Sequence, residues 1–229
     1  MIVAAFAAVT AIVIYALVLV RRRRGSVASR QGSAPNEAPA NAALDAVRSV
    51  RFLRDIGFFA DDPESPDDEL ARRLEQRIED EWGAPLAELA RTSPQLDVLI
   101  ALQDERRSYR APDEYFYPGE DSFLEIVERC GALEGLPRYT PLAEEWTSTD
   151  GPVEVRFSVE GRESAHTVRD PKYIDPGLFG SLNAAASGGS RRLRVSDALG
   201  MPNVVLALTD SETEALVSHR GWVFHPAAD

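Results

Sequence analysis

Nineteen consecutive residues, Ile2 to Val20, carry no charge, and Arg21 to Arg24 follow them without a break. As a helix rising about 1.5 Å per residue, such a segment spans roughly 28 Å, close to the hydrocarbon thickness of a bilayer. Four guanidinium groups then resist entry into lipid, so the pattern predicts a transmembrane anchor over residues 1–24 with a basic stop. A cleaved signal peptide would carry its positive charge before the apolar run and a small-residue site after it. Here arginines stand where cleavage would fall. Basic clusters stay on the cytoplasmic side. The expectation is therefore a signal-anchor contacting the lipid bilayer through residues 2–20, with the remainder on the cytoplasmic face of an inner membrane. Ala4 with Ala8 and Ala7 with Ala11 have the spacing that lets membrane helices approach, although an alanine-rich run produces it by chance.

Residues 25–42 are rich in Gly, Ser, Ala, Pro and Asn and show no apolar period. They read as a disordered linker, because such a composition buries too little surface to fold. Five arginines against Glu37 give the first 42 residues a charge of +4, so the remaining 187 hold -16 of the chain's -12. That acidic body repels phosphates, which excludes nucleic acid as a partner. It is long enough to bury a core without a disulfide, and Cys130 alone could form none within the chain. Lys172 is the only lysine among 25 basic residues, which reads as the codon bias of a GC-rich bacterial genome.

Periodicity divides the body. Residues 43–150 read as mainly helical, and residues 151–229 as α+β, the two forming one compact domain. Leu44, Val47, Val50 and Leu53 mark a first helix. Ser65, Pro66 and Asp68 mark the capped start of a second, with Leu70, Leu74, Ile78 and Trp82 on one face and Gly83 at its end. Residues 96–102 fit a buried strand or a helix started by Ser93 and Pro94, and the helix is preferred. Residues 108–119 read as a loop, residues 122–133 as a helix, and residues 140–146 as one more turn. Val153, Val155, Phe157 and Val159 then alternate with polar residues, Gly161 turns the chain, and residues 162–168 return as a hairpin. Asp175 and Pro176 begin a helix, residues 192–195 and 204–208 are strands, and Thr209 with Glu212 caps a last helix ending at Gly221. The expected fold is an N-terminal transmembrane helix plus an α+β soluble domain. In that domain a helical first half precedes a ββαββα antiparallel sheet with its helices on one face.

No motif assigns a catalytic, cofactor-binding or metal-binding residue. Cys130 lies on the apolar stripe of a helix, where cysteine acts as a small hydrophobe. His166, His219 and His225 lack a metal spacing. The acidic run from Asp61 to Glu69 fails the calcium-loop pattern, with Pro66 at the sixth position and Arg72 at the twelfth, and suits the first turn of a helix. Glu144 and Glu145 read as surface or interface charges, and Gly180-Ser181 lacks the serine-hydrolase elbow. Tyr109, Arg110, Tyr115, Phe116, Tyr117, Arg192 and Arg194 are the candidate partner-binding residues, since aromatics and arginine favour interface centres. The expected function is a non-enzymatic module that binds a protein partner. A hydrolase using carboxylates and His166, and an accessory subunit of an envelope complex, are the alternatives.

Overall fold

The computed structural model describes residues 45–112, 116–186, 188–199 and 203–225. The chain divides into two units, residues 1–41 and 42–229, and the second carries every described element. Helices α1 (Ala46–Asp55), α2 (Asp67–Trp82), α3 (Leu86–Leu89) and α4 (Ser93–Ala101) come first. Strand β1 (Ser108–Arg110), helix α5 (Ser122–Gly131) and strands β2 (Tyr139–Trp146), β3 (Val153–Val159) and β4 (Arg162–Val168) follow. Helix α6 (Pro176–Ala185), strands β5 (Arg192–Ser196) and β6 (Val204–Leu208), and helix α7 (Asp210–Arg220) complete it.

The strands form two antiparallel sheets of three, ordered β1-β6-β5 and β2-β3-β4, where a single ββαββα sheet was expected. Each sheet recruits one strand from the half read as helical. Strand β2 replaces the helical turn expected at residues 140–146, and β1 replaces part of the loop at 108–119. The bulge at Leu142 explains the first misreading. Pro141 pairs with Phe157 and Ala143 with Arg156, so inward residues fall at 139, 141, 144 and 146 and the period of two is interrupted. Strand β1 has three residues, too few to show any period.

Nor do the helices share one face. Strand β6 is buried throughout, as its unbroken apolar run requires. Val204, Leu206 and Leu208 meet one core with Val50, Leu53, Leu74, Ile78, Leu99 and Leu216 from α1, α2, α4 and α7. Val205 and Ala207 meet a second core built from β2-β3-β4, α5 and α6. The sheet containing β6 is thus a middle layer covered on both sides.

The membrane-spanning reading is corrected as well. Among the described residues no helix is long and apolar enough to cross a membrane. The anchor at 1–24, its lipid contact at 2–20 and the linker at 25–42 fall outside the described residues, so the single-pass signal-anchor has no described helix to carry it.

Local chemistry accounts for most helix ends. Thr92 accepts the Gln95 amide at the start of α4, one residue before the expected Ser93. Thr209 and Glu212 form the reciprocal capping box on α7. At α2 the expected box is absent. Pro66 occupies the cap without a side-chain bond, because Ser65 is engaged elsewhere: its carbonyl accepts Arg54 at 2.6 Å and its hydroxyl accepts Arg73 at 3.1 Å.

Candidate functional site

The candidate residues of the 109–117 segment scatter when the chain folds. Tyr109 lies in β1, packs against the second core under the Arg129 guanidinium, and has its phenol pushed up to about 12 by burial. Arg110 lies over the Trp82 ring at 4.4 Å. Phe116 is buried against Phe123, with ring centroids 4.6 Å apart. Tyr115 falls outside the described residues. Tyr117 is 52% exposed. Arg192 and Arg194 lie on β5, across β6 from β1, and are engaged locally. Arg192 donates to the Ala186 carbonyl at 3.3 Å and Arg194 to Asp210 at 2.7 Å. The six described candidates therefore do not come together in one site.

The fold gathers others around the loop between β4 and α6. The Phe116 amide donates to the Pro171 carbonyl at 3.3 Å, which brings the segment bearing Tyr117 beside the loop bearing Tyr173. Tyr173 is 62% exposed. Below it opens a groove of about 540 Å³ lined by His166, Thr167, Arg169, Asp170, Tyr173 and Asp175. The alternation of β4 turns His166 inward, toward α6. Its Nε2–H donates to Asp175 Oδ2 at 2.9 Å, and its Nδ1 accepts the Ser181 hydroxyl at 2.8 Å. Asp175 also caps α6 by accepting the Gly177 amide at 2.8 Å. The ring needs glycine beneath it, since a Cβ on Gly177 would stand 3.1 Å from His166 Cε1. The bond from His166 holds the Asp175 carboxyl below the usual carboxylate range, against the opposing effect of burial.

Serine, histidine and aspartate in hydrogen-bonded sequence suggest acyl transfer, but the geometry does not serve it. Ser181 sits within α6, where main-chain amides are committed to helical bonds and none is aimed at a developing oxyanion. Ser181 is also absent from the groove lining. The trio acts as a latch that fastens α6 to β4. The sequence marks Asp175 as a helix cap and offers His166 only to the hydrolase alternative; the inward parity of 166 in the hairpin is the signal that joins the two.

A second polar cluster is held by ion pairs. A cleft of about 380 Å³ contains Asp61, Asp62, Arg73, Arg77, Asp104 and Arg106. There Arg73 pairs with Asp62 and Arg106 with Asp61, while Asp104 accepts the amide of Phe59 at 2.7 Å and holds that residue in its left-handed backbone (φ 56°). The hydrogen bond from Ser65 and the pairing with Arg73 keep the Asp62 carboxyl low. Cys130 is fully buried and its thiol is pushed up by desolvation, so thiolate chemistry is closed to it. Among the described residues, no group of three or more His, Cys, Asp or Glu is arranged to hold a metal ion.

Comparison of the chain with protein-family models, with curated proteins and with solved structures finds no match.

Proposed function

We propose that the acidic domain is a non-enzymatic protein-binding module. Its recognition surface is the ridge of Tyr117 and Tyr173 beside the His166 groove, and its partner is a basic protein segment. The observation that carries this reading is the exposure of two tyrosines, 52% and 62%, on segments joined by the Phe116–Pro171 hydrogen bond, with Tyr173 lining the groove. Exposed tyrosine offers large contact area at low entropic cost and recurs at interface centres. The charge of -16 on residues 43–229 supplies the sign of the partner, because it steers basic segments in and turns acidic ones away.

An array of basic, neutral and acidic dodecapeptides, each with two aliphatic residues, tests this with the full-length chain. Basic peptides are expected to be retained selectively, with retention falling as salt rises from about 50 to 300 mM. The double variant Tyr117→Ala/Tyr173→Ala is expected to lose about tenfold or more. Equal retention of acidic peptides, or indifference to the double variant, contradicts the reading.

A further inference from the structure

Four strand edges border the two sheets, and three of them are short, interrupted or covered. Strand β1 has only three residues. Strand β2 carries Pro141, which lacks an N–H, and the bulge at Leu142. Helix α5 approaches it so closely that a Cβ on Gly131 would come within 2.7 Å of the Tyr139 nitrogen. On β5 the Asn183 side chain imitates a strand. Its Nδ2 donates to the Leu193 carbonyl at 2.9 Å and its Oδ1 accepts the Leu193 amide at 2.8 Å. The His225 amide then reaches the Val195 carbonyl at 2.8 Å.

Strand β4 is different. The hairpin turns on Glu160 and Gly161, both at positive φ (52° and 78°), the tight two-residue turn that makes Val159 and Arg162 a hydrogen-bonded pair. Bonding to β3 then falls on residues 162, 164, 166 and 168. The N–H and C=O groups of Glu163, Ala165 and Thr167 point away from β3. These three residues are exposed, and their main-chain groups make no hydrogen bond among the described residues. No proline, lysine or bulge blunts the seven-residue edge, although such devices are how sheets ordinarily protect themselves.

We propose that the free edge of β4 receives an added strand from a basic, extended protein segment. This rests on the binding-module reading and names its mode. Three N–H and three C=O groups form a ready ladder, the means by which strand addition gains affinity without a deep pocket. Thr167 ends the ladder and lines the groove under Tyr173, so a strand laid on β4 runs into the aromatic ridge. On the edge and in the groove Arg162 and Arg169 balance Glu163 and Asp170, so it is the charge of the whole body that favours arginine or lysine on the incoming chain. The same charge disfavours a second copy, since two acidic bodies repel.

The test uses the full-length chain and a labelled octapeptide of alternating arginine and valine. Saturable binding is expected. Methylating the alternate amides that face β4 should weaken it about tenfold or more, whereas methylating the other set should not. Ala165→Pro, which removes an outward N–H at an edge position, should weaken the unmethylated peptide comparably. The methylated peptides keep the test independent of how the variant folds. If both methylated peptides bind as well as the parent while Tyr117→Ala/Tyr173→Ala still abolishes binding, strand addition is overturned and the binding module stands. If the wild type does not bind the octapeptide, and no basic dodecapeptide either, both fall. A concentration-dependent dimer that Ala165→Pro returns to monomer would place a second copy on the edge and overturn the basic partner.

Discussion

Tyr139 buries its hydroxyl beside Cys130 with no hydrogen-bond partner among the described residues, and desolvation pushes the phenol up. A buried donor without a partner costs about 1–3 kcal/mol. Tyr139→Phe is therefore expected to leave the melting temperature unchanged or raise it, as thermal unfolding would show. Asp97 presents the opposite case. Fully buried, it receives Arg220 through two nitrogens, and Arg220 also reaches Ser49 at 2.8 Å, joining α4, α7 and α1. The bond to Asp97 holds the guanidinium's affinity for its proton above the usual value. Asp97→Ala would strand a part-buried cation and leave the Trp222 indole without its acceptor, so a loss of about 3 kcal/mol is expected in denaturant titration. Neither role was legible beforehand, because the partners lie as far as 171 residues apart in sequence. The same holds for Tyr109 and Tyr117. Both are tyrosines in one short segment, and pairing with the distant β6 decides that the first turns into the core.

At the scale of elements, sequence showed most clearly what is local: the Thr209 capping box, the apolar stripe of α2, the alternation of β3 and the glycine turn at 161. It failed where one element completes another. Asp121, before α5, adopts a left-handed backbone and makes no side-chain cap. Glu144 from β2 caps the helix instead, accepting the Phe123 amide at 3.0 Å while also accepting the Trp146 indole at 2.6 Å. Nothing near Asp121 announces this, and Glu144 by itself reads as a surface charge. Glu144→Ala should cost about 1–2 kcal/mol and speed amide exchange selectively in the first turn of α5. Asn183 likewise reads as a helix residue with no visible task, yet it seals β5. Asn183→Leu should expose the Leu193 amide and carbonyl, so faster exchange at Leu193 is expected while the protection of β6 persists.

For the whole molecule, pH separates the latch from the general charge. The depressed Asp175 carboxyl contributes stability that is fully present above its unfolded value of about 4 and is lost as pH falls through its folded value. Glu75, raised by burial and by Glu79, works in the opposite sense, so one acid titration mixes the two. A comparison isolates the latch: the melting-temperature gap between the wild type and Asp175→Asn should be open near neutrality and close below about pH 4. Within the layered arrangement, with β6 between two cores, the margin formed by the β4 edge meets the groove at Thr167, and the Phe116–Pro171 bond ties the segment of Tyr117 to the loop of Tyr173. Recognition of a basic segment at that margin is the claim on which the functional reading stands. Amide chemical-shift mapping of the full-length chain, titrated with the arginine–valine octapeptide, tests it most directly. Perturbations concentrated at residues 163–167, Tyr117 and Tyr173 are the expected result. Perturbations centred on the Arg106 cleft, or none at saturating peptide, would contradict it.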